Sequence, residues 1–452
     1  MRDLTEGKPA KLILQFATPM LIGNVFQQLY NVADSVIVGR FLGKEALAAV
    51  GASFPLIFML ISFIIGIATG STIVIAQYFG AKDLDKVRRS IDTMYIFLFF
   101  ASLVVMVLGI AFSSSIFRLI RLPEEVVPQA ALYMNVYLTG MVFFFGFNGI
   151  SAVLRGLGDS KTPLFFLIIS TLTNIVFDLL FVVVFKWGIA GAAGATVLSQ
   201  AGAFLSLVFY LNRRHEMVKL TWRKPVWDKA IFYQSTRIGI PTGLQQTFVS
   251  LGMLALLRIV NNYGTDTVAA YSVAGRIDGL ASLPAMNFGA ALSTYTGQNI
   301  GANRIRRVRE GLMATLGMST LTAVVTSILV MIFRDPLMGL FTSDPGVIAI
   351  GGRYLLIVGG FYVMFSGMFV IGGVMRGAGD TLIPMFITLF SLWIIRIPMA
   401  WILSAQIGVD GIWWAIPVAW FIGLAFSFYY YSTGRWKLKS VVKFTASPEQ
   451  EV

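Results

Sequence analysis

IVIAQYFGAKDLDKVRR occupies residues 73–89, and TYTGQNIGANRIRRVRE occupies residues 294–310, 221 positions later. In both segments a Gln is followed three residues later by Gly-Ala and then by a cluster of basic residues. The same spacing superimposes further pairs, namely Gly43 on Gly264, Arg155-Gly156 on Arg376-Gly377, Gly158-Asp159 on Gly379-Asp380 and Pro163 on Pro384. Matches scattered over so long a stretch at one spacing indicate an internal duplication.

The composition excludes a water-soluble globular protein. Of the 452 residues, 57% are hydrophobic and 13% charged, whereas soluble domains are about a quarter charged and under half apolar. We assign the net charge of +13 to basic cytoplasmic loops rather than to binding of nucleic acid. With no Cys and one His, the chain can form neither a disulfide nor a multi-histidine metal site.

Twelve apolar runs are long enough to cross a bilayer, which takes about 20 residues in a helix. Turn sequences such as Asp344-Pro345-Gly346 separate them. Backbone polar groups in lipid must bond internally, so runs of this length predict helices. The predicted spans are 12–38, 47–75, 90–114, 128–153, 163–186, 188–211, 235–262, 267–297, 311–333, 347–374, 382–405 and 408–432.

Basic residues predict the orientation of these spans. With both termini in the cytoplasm, 24 of the 35 Lys and Arg lie in cytoplasmic segments and seven in external ones, as expected for positive-inside topology. We therefore expect an all-α integral membrane protein with twelve spans in two six-helix lobes, which are related by a pseudo-two-fold axis along the membrane normal. The predicted domains are a first lobe at 1–211, a basic cytoplasmic linker at 212–234 and a second lobe at 235–452.

Two acids lie well inside spans of the first lobe, Asp34 on the first helix and Asp178 on the fifth. A carboxylate at mid-membrane costs about 2.5–3.5 kcal/mol on insertion scales, so each acid needs an explanation. Asn174 shares a helix face with Asp178, and Asn148 and Thr196 lie on the fourth and sixth helices. If these helices share an interior, the five residues form an oxygen-rich pocket suited to a proton or to Na⁺.

The alternative is that each acid is capped by a neighbouring amide and only specifies packing. The second lobe argues against this alternative, because the positions equivalent to Asp34, Asn174 and Asp178 hold Ala255, Ile395 and Met399. Polar residues needed only for packing should have been kept in part by the second copy.

The second lobe has charged residues of its own, including Arg276, Asp278 and Arg396. Arg276 and Asp278 are two positions apart and do not share a helix face. We expect Asp278 and Arg396 to form a structural ion pair, in preference to a second coupling site.

Pro19 lies fifteen residues before Asp34 on the first helix. A proline within a helix removes one backbone hydrogen bond and permits a kink. Two interpretations stay open: the helix bends when Asp34 changes charge, or the kink is fixed and serves packing.

Together these features resemble the multidrug and toxic compound extrusion (MATE) family. The resemblance covers nearly the whole chain and rests on the twelve spans in two repeats, Pro19 with Asp34, the segments 77–81 and 298–302, the Arg-Gly-x-Gly-Asp loops at 155–159 and 376–380, and Asn174 with Asp178. It implies export of cationic, often aromatic drugs in exchange for H⁺ or Na⁺, and a helix 1 that bends at Pro19. The family's first-lobe cation site matches Asp34, Asn148, Asn174, Asp178 and Thr196.

Some members of that family also use an acidic pair on helices 7 and 10. This chain departs from the pattern, with Gln245, Gln246 and Thr247 on helix 7 and no acid on helix 10.

We therefore expect a cation-coupled antiporter with rocking lobes, which acts as a monomer on small organic cations in the lipid bilayer of the bacterial inner membrane. It should need no cofactor beyond the transported H⁺ or Na⁺ and no nucleic-acid partner. A channel is one alternative. A flippase for lipid-linked precursors is another, but its cavity should hold several Arg or Lys for phosphate groups. The sequence contains no Ser-His or metal-ligand constellation, so we do not expect an enzyme.

Overall fold

The computed structural model describes residues 2–120, 122–215, 218–219 and 225–443, and in this part of the chain it contains helices and no strand. The α-helices are α1 (Pro9–Phe41), α2 (Lys44–Gly80), α3 (Leu84–Leu119), α4 (Val127–Thr139), α5 (Met141–Gly156), α6 (Lys161–Asp178), α7 (Gly188–Arg214), α8 (Lys229–Val260), α9 (Thr265–Gly301), α10 (Ile305–Ile332), α11 (Arg334–Gly339), α12 (Pro345–Gly359), α13 (Tyr362–Gly377), α14 (Leu382–Leu389), α15 (Ile397–Ile407) and α16 (Val409–Ser432).

The described helices are consistent with the twelve predicted membrane crossings. Eight apolar stretches are long enough to cross alone, and two further crossings are bent helix pairs. The remaining two are α1 and α9, with 33 and 37 residues, which contain the acids Asp34 and Asp278. At 1.5 Å per residue each is about 50 Å long, more than the roughly 30 Å hydrocarbon core requires. The all-α membrane fold predicted from the sequence is confirmed.

The fourth span of each repeat is broken, so the prediction of single helices at 128–153 and 347–374 was wrong. α4 and α5 meet at an angle of 51°, and α12 and α13 meet at 50°. A Cβ on Gly140, between α4 and α5, would lie 2.7 Å from the side chain of Val197. Glycine therefore lets α7 approach the bend.

The fifth span of each repeat contains a π-helical segment, a rare geometry that often occurs at functional sites. Leu179–Val184 follows α6 directly after Asp178. Phe390–Arg396 joins α14 to α15 and ends at Arg396. In both repeats the irregular segment thus adjoins a charged residue within the membrane.

The described residues pack into two compact units. The first contains Arg2, Ile22–Ile75 and Asp83–Ile240, and the second contains Asp3–Leu21, Ala76–Lys82 and the chain from Pro241 onward. α1 thus contributes to both units. These bounds reflect packing rather than the sequence repeat, and the predicted domains at 1–211, 212–234 and 235–452 stay a prediction. Residues 216, 217 and 220–224 of the predicted linker lie outside the described residues.

Within the second unit, the ends of α2 and α9 cross at a pair of glycines. A Cβ on Gly80 would overlap the carbonyl oxygen of Gln298, and a Cβ on Gly301 would overlap that of Gln77. These four residues occupy equivalent positions in the two repeats, so the crossing has local two-fold symmetry. Two backbones this close leave no room for a side chain larger than hydrogen.

The two glutamines at this crossing each hold a segment near a chain terminus. The side-chain oxygen of Gln298 accepts a hydrogen bond of 2.8 Å from the backbone N–H of Leu4, and that of Gln77 accepts one of 2.7 Å from Val441. The Gln77 amide also donates to the carbonyl of Gly377 at 2.9 Å. Both glutamine side chains are fully buried. Their backbone partners supply the hydrogen bonds without which these buried polar atoms would destabilise the fold.

Candidate functional site

The first unit gathers four of the five predicted site residues in one buried region. Asp34 lies on α1, Asn174 and Asp178 on α6, and Thr196 on α7. Asp178 is 0% exposed, Asn174 and Thr196 are 1% exposed, and Asp34 is 7% exposed. Both acids therefore face protein rather than lipid, as a polar residue within a membrane requires.

A chain of hydrogen bonds connects α1, α7 and α6. The hydroxyl of Thr196 donates to the carbonyl of Ala192 on its own helix at 3.3 Å. It therefore accepts from the hydroxyl of Tyr30, which lies 3.0 Å away. The amide of Asn174, oriented to satisfy its neighbours, accepts from the backbone N–H of Thr196 at 3.2 Å and donates to Oδ2 of Asp178 at 3.0 Å.

Each carboxyl group keeps one buried oxygen without a partner among the described residues, Oδ1 of Asp34 and Oδ1 of Asp178. The two acids are close enough for their charges to interact. A buried, unpaired polar atom costs about 1–3 kcal/mol, and more when it is charged. A proton or a cation shared by the two acids would remove this cost. The arrangement is thus chemically suited to bind a cation.

The fifth predicted cation-site residue, Asn148, and the predicted bend residue, Pro19, lie apart from this network. Asn148 is half-buried on α5, and its amide donates to the carbonyl of Phe144 on the same helix at 2.9 Å. Pro19 lies within α1, in the part that packs with the second unit. Neither contributes a contact to the hydrogen-bond chain described above.

Three tyrosines near the acids were not predicted from the sequence. Tyr30 precedes Asp34 by one turn of α1, and the charges of both acids reach it. Tyr133 and Tyr137 on α4 stack with ring centroids 6.3 Å apart and also lie within electrostatic reach of Asp34. Tyr30 lies four residues before Asp34, and Tyr133 lies four residues before Tyr137. This spacing could have indicated that each pair shares a helix face.

The predicted ion pair between Asp278 and Arg396 does not form. Arg396 acts on Asp278 electrostatically, but among the described residues no nitrogen of Arg396 lies within 4.0 Å of a carboxylate oxygen. Arg396 ends the π-helical segment, whereas the predicted pairing assumed a regular helix with a different rotation per residue.

The MatE family model matches the chain twice, over residues 19–180 and over residues 241–402. The chain belongs to the MatE family. The two matches are equally long and fall one in each repeat, which agrees with the duplication inferred from the sequence. MatE proteins are membrane transporters, and this chain is accordingly a multi-pass membrane protein.

Several bacterial proteins resemble this MatE chain over nearly its full length. It is 35% identical to "Probable multidrug resistance protein YpnP" of Bacillus subtilis, over 96% of this chain and 97% of that protein. It is 34% identical to "Probable multidrug resistance protein YoeA" of the same organism, over 95% and 94%. It is 27% identical to "Probable multidrug resistance protein NorM" of Thermotoga maritima, over 96% and 94%.

Solved structures share the fold. The structures titled "Crystal structure of MATE in the bent conformation" and "Crystal structure of MATE in the straight conformation" superimpose with TM-scores of 0.91 and 0.90. Each is 25% identical to this chain, and the match covers 97% of this chain and 98% of the other.

Proposed function

We propose that this MatE chain is a multidrug efflux antiporter, which expels small organic cations in exchange for H⁺ or Na⁺ bound at Asp34 and Asp178. The names of the relatives support the kind of cargo. The observation that carries the coupling site is the pair of buried, unpaired carboxyl oxygens on two different helices. The charges of the two acids interact, and charges of one sign repel each other in a medium of low dielectric constant, so a bound cation stabilises the pair.

Binding of the cation would act on the position of α1. Asp34 and Tyr30 lie on α1, and their partners lie on α6 and α7. A cation between the acids would draw α1 toward α6, and its release would let the helix move away. Pro19, which leaves one backbone hydrogen bond unmade, is the point at which we expect α1 to bend.

The ligands available do not favour one coupling ion. Carboxylate, amide and hydroxyl oxygens are the hard ligands that Na⁺ accepts, and two nearby acids are enough to hold a proton. Either ion supplies adequate energy. One charge moving through 100 mV releases about 2.3 kcal/mol, and about 1.4 kcal/mol corresponds to a tenfold gradient.

The negative charge of the site favours a positively charged cargo. A flippase for a lipid-linked precursor should present guanidinium or ammonium groups to phosphates, whereas the unpaired groups at Asp34 and Asp178 are carboxyl oxygens. We further propose that the chain acts as a monomer. We also propose that both termini lie in the cytoplasm, an orientation that the distribution of Lys and Arg supports.

Proteoliposomes test this function. The purified protein is reconstituted with a fluorescent organic cation inside, and a pH gradient or a Na⁺ gradient is imposed separately. We expect one gradient to accelerate efflux, and Asp34→Asn and Asp178→Asn each to abolish the acceleration. Asp85→Asn is the matched control, because Asp85 is 72% exposed and pairs with Arg89 on the surface. Acceleration that persists in both site variants would contradict the proposal.

A further inference from the structure

Asp278 on α9 is surrounded by aromatic residues of the second unit. Tyr354 on α12 and Tyr362 on α13 face its carboxyl group, and Tyr271 approaches from its own helix. Trp413 on α16 closes the group, with its ring 5.7 Å from that of Tyr271 and 4.9 Å from that of Tyr354. These residues together with Arg396 are called the Asp278 cluster.

Polar atoms in the Asp278 cluster lack hydrogen-bond partners to an unusual degree. Oδ1 of Asp278, Nε of Arg396, the hydroxyl of Tyr362 and Nε1 of Trp413 are all buried and unpaired within the described part of the chain. Tyr362 and Trp413 are 2% and 0% exposed. Buried polar groups in native proteins almost always have a partner, so four exceptions in one place need an explanation.

A small cavity lies beside the cluster. It has a volume of about 10 Å³ and is lined by Pro284, Ser319, Thr322, Thr326 and Tyr362, among others. This volume and these hydroxyl groups suit about one water molecule. Tyr362 belongs to both the cavity lining and the Asp278 cluster, so this residue links the surroundings of the carboxyl group with that space.

Three irregularities of the backbone meet at the cluster. Pro284 interrupts the hydrogen bonding of α9, Tyr362 follows the 50° bend between α12 and α13, and Arg396 ends a π-helical segment. Irregular backbone at membrane depth is tolerated where it is buried in protein or lines a hydrated cavity. A purely structural cluster does not require three such features.

In each repeat an acid lies near an equivalent tyrosine, but the acids of the two repeats are on different helices. Tyr354 is the counterpart of Tyr133 at the spacing of 221 residues, and Tyr133 lies within electrostatic reach of Asp34 and Asp178. The counterparts of Asp278 and Arg396 are Ile57 and Ile175. The second repeat therefore lacks the acids of the first and has another acid, on another helix, near the equivalent tyrosine.

We propose that Asp278 is a second proton-binding site, with Arg396 as its internal counter-ion and the cavity beside Tyr362 as the place of proton exchange with water. The titratable and charged groups that face the carboxyl are Tyr271, Tyr354, Tyr362 and Arg396. When Asp278 is ionised, Arg396 balances its charge. When Oδ1 takes a proton from water, the guanidinium loses its counter-ion and the segment Phe390–Arg396 rearranges.

This site does not depend on the coupling role of Asp34 and Asp178, so its test must separate the two. The full-length protein carrying Asp34→Asn and Asp178→Asn is compared with the triple variant that also carries Asp278→Asn. Infrared difference spectra between pH 5 and pH 9 are recorded for both, and the spectrum of the triple variant is subtracted. We expect a band of a protonated carboxyl group that appears as the pH falls.

Variants at Arg396 and Tyr362 test the proposal independently, in case Asp278→Asn does not fold. Arg396→Met, in the protein with Asp278 intact, should move the midpoint of the band to more alkaline pH by about one unit or more, because the cation that favours the carboxylate is gone. Arg396→Lys should move it much less, and the conservative Tyr362→Phe should retain the band. A carboxyl group that stays ionised over the whole range, or a midpoint unaffected by Arg396→Met, would overturn the proposal.

Discussion

Asn174 and Asp178 lie one turn apart on α6, and the amide nitrogen of Asn174 donates a hydrogen bond of 3.0 Å to Oδ2 of Asp178. This bond fixes the orientation of the carboxyl group and leaves Oδ1 unpaired. The oxygen of the same amide accepts a hydrogen bond from the backbone N–H of Thr196. Asn174 therefore orients the carboxyl group without neutralising it.

Replacement of Asn174 by Leu should weaken the binding of the coupling ion. A hydrogen bond to a charged group contributes about 1.5–3 kcal/mol, so we expect the ion concentration for half-maximal efflux to rise about tenfold or more. Asn148→Leu is the matched control, because the Asn148 amide bonds to its own helix. A larger effect at Asn148 than at Asn174 would show that the hydrogen-bond chain is assigned incorrectly.

Removal of the Tyr30 hydroxyl should loosen the contact between α1 and α7. Tyr30→Phe deletes the donor to Thr196, and we expect a loss of about 0.5–1.5 kcal/mol in the free energy of unfolding. A double-mutant cycle with Thr196→Val measures the pairwise part. Tyr233→Phe serves as the control, since Tyr233 is 66% exposed. Strictly additive effects of the two substitutions would contradict a direct bond.

Gly80→Ala and Gly301→Ala should both destabilise the protein. The added methyl group would overlap the carbonyl oxygen of Gln298 or of Gln77, and overpacking typically costs about 1–3 kcal/mol. Gly317→Ala on α10 is the control, because its methyl group would meet nothing within 4 Å and alanine favours a helix. Thermal unfolding in detergent measures the difference. A variant at either glycine as stable as Gly317→Ala would refute the close crossing.

Leu4 should anchor the segment before α1 to the second unit. Its side chain is 1% exposed and packs with Phe16 and Trp436, among others, and its carbonyl accepts from the amide of Asn299 at 3.2 Å. Leu4→Ala removes buried apolar contacts that are typically worth about 2–5 kcal/mol. We expect faster trypsin cleavage after the exposed Lys11 in the first turn of α1. Leu438→Ala, at a side chain 84% exposed, should leave the rate unchanged, and equal rates in both variants would contradict the anchor.

Hydropathy and the constant spacing of 221 residues were sufficient to predict the helices and the duplication. Twelve long apolar runs in lipid allow little besides helices, and the paired turns locate the repeat. The breaks at Gly140 and before Tyr362 are marked in the sequence only by Thr139-Gly140 and Gly359-Gly360. They could not be predicted from these residues, because glycine is also frequent in unbroken membrane helices. Glycine is necessary at position 140 because Val197 of another helix lies against it. A contact between two helices is not visible in the local sequence pattern.

The candidate site could be predicted only in part. Spacing along α6 was enough to place Asn174 and Asp178 on one face. Whether Asn148 faces those residues depends on how α5 is rotated in the bundle, and the sequence does not give that rotation. The contact of Tyr30 with Thr196 likewise requires α1 and α7 to be adjacent. At Arg396 the predicted pairing assumed a regular helix, whereas the segment that ends at this residue is π-helical.

Simultaneous recording of drug efflux and counter-ion uptake in the same proteoliposomes tests the coupling at Asp34 and Asp178 most directly. In the wild type we expect the two fluxes to rise together when the gradient is imposed. In Asp34→Asn with Asp178→Asn we expect ion uptake and gradient-driven efflux to disappear together, while exchange of labelled for unlabelled drug without a gradient continues. Ion uptake that stays coupled to efflux in this double variant would contradict the account.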